Sequence, residues 1–210
     1  MRRLAGVIGL VVFGLLLTMG GGRWTASLAW AEVTVGQQAP EFSLTDLDGK
    51  TRSLSEFAGT YRVLEWTNYD CPFVVKHYGS GNMPALQKEY TAKGVTWLSV
   101  NSSASGKQGH FSIDEWRQRM QANGAAPSAV LLDPDGQVGQ LYGAKTTPHI
   151  FIIDPQGVLI YQGAIDDIPS ADQDDIAKAT NYVRATLDAA MAGQPVVTTS
   201  TKSYGCSVKY

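Results

Sequence analysis

Apolar and polar positions along this chain fall into short blocks whose period changes from one block to the next. Runs rich in β-branched and aromatic residues occur at 61–67 (YRVLEWT), 95–100 (VTWLSV), 129–132 (AVLL) and 149–153 (HIFII). Runs of that length and composition predict buried strands. Between them lie stretches with helix start and stop signals. Pro72 opens residues 72–78, where a first-turn proline loses nothing by lacking an N–H, and Gly79-Ser80-Gly81 closes them. Pro84 opens 84–93, stopped by Gly94, and Asp114 opens 114–122, stopped by Asn123-Gly124. Residues 136–142 predict a short helix. Residues 174–191 predict a long one, with an acidic start and Ile176, Ala179, Val183 and Leu187 at three-to-four spacing. A hairpin turned by Asp48-Gly49 precedes this series, and Pro155-Gln156-Gly157 turns the strand at 149–153 into 158–162. The order predicts an α/β fold: a central mixed, mainly parallel sheet with helices on both faces and an N-terminal hairpin extension.

The two ends break this pattern. Arg2 and Arg3 precede an uncharged apolar run over 4–19, and Ala29-Trp30-Ala31 supplies a small-x-small site before Glu32. Charge, apolar run and cleavage site in that order predict a secretory signal peptide over 1–31, with an uncleaved membrane anchor as the other reading. A single domain is expected over 32–193. From 194 to 210 the chain is polar and β-prone, with no core pattern of its own, and carries Cys206. The localisation expected is therefore periplasmic or secreted, off the membrane after cleavage.

Composition narrows the partners. The formal net charge is −2, and it becomes more negative once Arg2, Arg3 and Arg23 leave with the signal segment. A mildly acidic surface is a poor match for nucleic acid, which requires clustered Lys and Arg. There are two cysteines, Cys71 and Cys206, too few for a disulfide-stapled scaffold. In an exported chain they imply either one structural disulfide or redox chemistry.

Cys71 falls where the strand at 61–67 ends and the helix at 72–78 begins. A thiol there faces unpaired backbone N–H groups and the positive end of the helix dipole, which favour the nucleophilic thiolate. Lys76, one turn on, is a candidate for added positive charge, and Asp70 opposes it. The competing reading is a buried, inert cysteine.

The segment Gly36-Gln37-Gln38-Ala39-Pro40-Glu41-Phe42-Ser43-Leu44, the Asp48-Gly49-Lys50 turn, the strand-to-Cys71-Pro72 junction, Thr147-Pro148 and Phe151-Ile152-Ile153-Asp154 with Gly157 occur in one order. In that order they resemble the alkyl hydroperoxide reductase and thiol-specific antioxidant (peroxiredoxin-like, redoxin) family of the thioredoxin-like superfamily. The resemblance covers roughly 33–191. It implies a thioredoxin-like fold and a thiol oxidoreductase, with Cys71 as the attacking cysteine. Pro148 matches the cis-proline that faces the cysteine, and Thr147 flanks the thiol. Glu65, six residues before Cys71, stands where thioredoxins carry a buried proton-accepting acid; an exposed strand glutamate is the plainer reading.

Departures from the family pattern also carry information. Val74 stands where thioredoxins have their second cysteine. Asn68 stands where peroxiredoxins have Thr or Ser, and Thr147-Pro148-His149 has no arginine beside it. Thr67 and Asn68 remain candidate hydrogen-bond donors to the site. The tail Tyr204-Gly205-Cys206-Ser207 resembles the ending of a related redoxin branch, which makes Cys206 a candidate resolving thiol; a permanent structural bridge and a free thiol are the alternatives. His77 and His149 near one cysteine make a poor copper site, so neither cofactor nor metal is implied. The expected substrates are peroxides or disulfides, reduced at the expense of an external thiol or a thioredoxin-like reductant. The reading from a different class is a non-catalytic interaction module pinned by a Cys71–Cys206 disulfide. Well-separated sulfurs, with Cys71 in an open cleft, are expected of the reactive protein.

Overall fold

The computed structural model describes residues 33–210. The signal-peptide expectation for residues 1–31 lies outside the described residues. Nine strands and five helices follow in order: β1 (Ser43–Asp46), β2 (Thr51–Ser53), β3 (Arg62–Trp66), α1 (Pro72–Gly79), α2 (Asn82–Ala92), β4 (Thr96–Asn101), α3 (Ile113–Ala122), β5 (Ala129–Leu132), α4 (Gln137–Tyr142), β6 (Thr146–Thr147), β7 (His149–Ile153), β8 (Leu159–Gly163), α5 (Tyr182–Met191) and β9 (Cys206–Ser207).

Seven strands form one sheet in the order β2-β1-β5-β4-β3-β7-β8, and β6 with β9 forms a second, two-stranded ladder. The sheet is mixed, but its parallel pairing is confined to the centre, β3 with β4 and β4 with β5. The pairs β1–β2, β1–β5, β3–β7 and β7–β8 are antiparallel. The expectation of a mainly parallel sheet is corrected accordingly. The β-α-β units account for the parallel centre, while both hairpins and the return of β7 beside β3 add antiparallel neighbours.

Side-chain alternation on the central strands divides the core in two. Val63 of β3 and Trp97 of β4, with Ile150 and Ile152 of β7, face Val74, Tyr78, Leu86, Tyr90, Trp116, Val183 and Leu187 from α1, α2, α3 and α5. Leu64, Trp66, Leu98, Val100 and Phe151 face the other way, against Phe42, Leu54, Val138 and Tyr142. Every residue of β3 and β7 is buried, as expected for strands covered on both faces.

The helix expected over 174–191 is shorter. A 3-10 turn spans Gln173–Asp175, and α5 begins only at Tyr182. Asn181 starts it, its side chain accepting the Arg184 N–H, and Asp167 accepts the Thr180 N–H at 2.8 Å. Ile176 and Ala179 had the helical spacing, but two local side-chain caps stop the helix from extending back through them. The 194–210 segment is not a loose end. It runs beside β8, where Gln162 N donates to Thr199 O and Thr201 N donates to Gln162 O, and then supplies β9.

Candidate active site

The turn that presents Cys71 is built from its neighbours. Asn68 Oδ1 accepts the Asp70 N–H at 3.0 Å, and Cys71 N donates to Asn68 O at 2.9 Å. This Asx turn ends β3 and leaves Cys71 as the N-cap of α1, with Pro72 at the helix start. The Cys71 carbonyl accepts the N–H groups of Val74 and Val75, so the thiol sits at the positive end of α1.

Across from it, the Thr147–Pro148 peptide bond is cis, as the resemblance implied. Cys71 Sγ donates to Thr147 O at 3.0 Å. On the other edge of Thr147 lies the tail: β9 pairs antiparallel with β6, Cys206 opposite Thr147 and Ser207 opposite Thr146. Both cysteines are free thiols, and Cys206 packs against the core cluster that contains Cys71. Partial burial first, and then the neighbouring Cys71, together push the Cys206 thiol up to about 11. At neutral pH Cys206 therefore keeps its proton and can donate it towards Cys71. Cys71 itself has no exposed surface. The expectation of separated sulfurs and an open cleft is thus corrected: the last residues of the chain fold over the thiol and close it.

Among the described residues, neither Thr67 nor Asn68 makes a side-chain hydrogen bond to Cys71. Asn68 is occupied by the Asp70 N–H and by Gln108 O at 3.5 Å. Thr67 Oγ1 is buried without a hydrogen-bond partner among the described residues, as is Thr147 Oγ1. Lys76 does not lend its charge to the thiol. Its Nζ is fully buried against Asp166 at 3.0 Å and also donates to Ile168 O at 2.7 Å. Asp70 pairs with Arg119 at 2.6 Å.

Glu65 is fully buried, which corrects the exposed-strand reading. In a strand covered on both faces, every position is interior, so a glutamate there must be satisfied from within. Tyr78 OH at 2.8 Å, Gln87 Nε2 at 3.0 Å, Trp97 Nε1 at 2.8 Å and Ser99 Oγ at 3.3 Å all donate to its carboxylate. Burial pushes its pKa above the usual carboxylate range, and the four donors oppose that rise. Glu65 shares a sheet face with Val63, beneath the helix that Cys71 caps.

The family model for the AhpC/TSA family matches residues 35–162. The chain belongs to the AhpC/TSA family. Among curated relatives it is 27% identical to the thiol-disulfide oxidoreductase ResA of Bacillus subtilis over 151 residues, 71% of this chain and 79% of that protein. It is 30% identical to the selenocysteine-containing peroxiredoxin PrxU of Peptoclostridium acidaminophilum over 137 residues, 60% of this chain and 66% of that one. An uncharacterised conserved protein from Geobacillus kaustophilus superposes with a TM-score of 0.70 at 29% identity, covering 84% of this chain and 92% of that one. A putative thiol:disulfide interchange protein DsbE from Chlorobium tepidum does so with a TM-score of 0.52 at 27% identity, over 62% and 85%. The thioredoxin-like fold and the assignment to the thiol oxidoreductases follow. The family match ends at 162, well before Cys206, so this member of the AhpC/TSA family closes its site with residues beyond the matched region.

Sequence reasoning missed the residues that hold this closure: Asp166, Tyr204, Gly205 and Tyr210. One signal was visible. Gly205 directly precedes Cys206, and a Cβ there would lie 2.1 Å from Thr147 O, so only glycine lets the tail lie flat on β6.

Proposed function

We propose that this AhpC/TSA family member is an exported thiol-disulfide oxidoreductase in which Cys71 attacks and Cys206 resolves. The observation that carries this reading is the meeting of the two thiols across Thr147, one capping α1 and the other delivered by β9. The Cys71 thiolate attacks one sulfur of a substrate disulfide, forming a mixed disulfide and releasing the other sulfur as a thiolate. Cys206 passes its proton to the thiolate just released, attacks the Cys71 sulfur, forms the Cys71–Cys206 disulfide and expels the second substrate sulfur as a thiolate. An external dithiol, oxidised in turn, restores both cysteines. Export rests on the charge, apolar run and cleavage site of residues 1–31. Residues 194–210 serve as the arm that brings Cys206.

Peroxide reduction is the second reading, supported by the family and by the Thr147 hydroxyl, buried without a partner on the residue whose carbonyl contacts the Cys71 sulfur. There the thiolate attacks a peroxide oxygen, an alcohol or water leaves, and the sulfenic acid condenses with Cys206 to a disulfide and water. The disulfide reading is preferred because Asn68 is committed to the Asx turn and Lys76 to Asp166, leaving neither to activate a peroxide. The non-catalytic module is tested by the same experiment: turnover of a small disulfide and of a hydroperoxide by wild type, Cys71→Ser and Cys206→Ser. Cys71→Ser abolishes both, whereas Cys206→Ser stops after one equivalent, as a trapped mixed disulfide with the small disulfide and as a sulfenic acid with the hydroperoxide. Undiminished turnover in Cys71→Ser overturns the proposal, and equal inactivity of all three proteins favours the module.

A further inference from the structure

If Cys71 reacts with anything outside the protein, the tail must leave it, because Gly205 and Cys206 lie on Thr147 and cover the sulfur. What holds the tail down on the α1 side is a buried polar socket. Lys76 and His77, both fully buried, project from α1 towards Asp166. Tyr204, two residues before Cys206, inserts its hydroxyl among them. It donates a short hydrogen bond to Asp166 Oδ1 and accepts one from Lys76 Nζ at 3.2 Å, and His77 Nε2 lies 3.3 Å away. The Tyr204 ring packs edge-on against Phe73, two residues after Cys71, with centroids 5.8 Å apart. Asp166 and Tyr204 also line a surface cleft, so the socket reaches solvent on one side. The far end of the tail is held by Tyr210, whose hydroxyl donates to Ala144 O at 2.7 Å.

A buried Lys–Asp pair is costly unless its remaining hydrogen-bonding capacity is met. Here the tyrosine hydroxyl meets part of it, and only when the tail is docked. We infer that Tyr204 is a positioning residue: seated in the Lys76–Asp166–His77 socket it places Cys206 over Cys71, and its departure from the socket uncovers Cys71. This inference rests on the redox reading above only for its purpose. The geometry of covering and uncovering holds whether or not Cys206 resolves.

The test uses the protein carrying Cys206→Ser, so that Cys71 is the one thiol and no disulfide forms. The rate of Cys71 alkylation by iodoacetamide is measured with Tyr204 and with Tyr204→Phe, at zero and at low urea. Loss of a hydrogen bond to a charged group is expected to raise the rate roughly tenfold. Local opening gives rates that stay flat at low urea, whereas global unfolding gives rates that climb along the unfolding slope. Lys202→Ala, an exposed change in the same tail, is expected to leave the rate unchanged. An unchanged rate in Tyr204→Phe overturns the inference. So does a Cys71 rate in the Cys206→Ser protein itself that rises steeply from the first urea added, a measurement that needs no Tyr204 variant to fold. Turnover assays do not enter this result, so its failure is separate from failure of the redox proposal.

Discussion

In the proposed reaction, two residues set the chemistry by opposite means. Cys71 is placed by a turn and a helix start that depend on Asn68 and Pro72, whereas Cys206 is held in its protonated form by partial burial and by Cys71 itself. Removing the neighbour should therefore release the second thiol: in Cys71→Ser, Cys206 is expected to titrate clearly below the value of about 11 that it has in the intact site, as followed by ultraviolet thiolate absorbance. An unmoved titration would mean that burial alone sets it. Glu65 supplies a second prediction. Glu65→Leu leaves the Trp97 indole N–H and the Gln87 amide without their acceptor and should cost about 2 kcal/mol or more in urea unfolding. Glu65→Gln should be milder, with a diagnostic pH dependence. Because the folded-state pKa of Glu65 is raised, its contribution to stability is full below the unfolded value of 4.5 and is lost as pH rises through the folded value. Wild type should thus lose stability relative to Glu65→Gln on going from pH 4.5 upward.

At the scale of elements, the pattern was enough for the central strands and for α1 to α4, with the starts of α2 and α3 placed at Pro84 and Asp114, one or two residues inside the helices that follow Gly81 and the Ser112 capping box. It failed at 174–181, where apolar spacing suggested helix while Asn181 and Asp167 captured the backbone N–H groups that would have extended it. It failed again at β9, because a two-residue strand pairing with another two-residue strand has no period to read. Cys71 was legible because strand-end and helix-start chemistry is local, and Thr147 and Pro148 through the family resemblance. The socket of Lys76, Asp166 and Tyr204 was not, because its members lie on three separate segments and only the fold brings them together. The role of Gly205 follows from contact with Thr147. In Gly205→Ala, strain of about 1–3 kcal/mol for a side chain at its positive φ adds to the clash with Thr147 O. This variant should lose amide-exchange protection at β9 and form the Cys71–Cys206 disulfide roughly tenfold more slowly or worse. Wild-type protection in the variant would contradict the docking described.

For the whole molecule, the socket that holds the tail also contributes to stability. His77 is buried, its pKa lowered from 6.5 to about 4 mainly by burial, with Asp166 opposing and Lys76 reinforcing that shift. A depressed folded-state value stabilises the protein above the unfolded value and loses that contribution as pH falls. Between pH 6.5 and about 4 the His77 contribution to unfolding free energy should therefore decline by about 1.4 kcal/mol per pH unit, and His77→Gln should remove that slope. Urea titrations of both proteins across this range check it. The architecture that emerges is a thioredoxin-like sheet with one thiol at the start of α1. Its partner thiol is carried by a tail tied down at Tyr204 and Tyr210. Peptide mapping by mass spectrometry after one equivalent of oxidant is added to the reduced protein tests the pairing of Cys71 with Cys206 most directly. The account predicts a single cross-linked peptide joining Cys71 to Cys206, with both free thiols lost together. A Cys71 that accumulates as sulfenic or sulfinic acid, or as an adduct, while Cys206 stays a free thiol would contradict it.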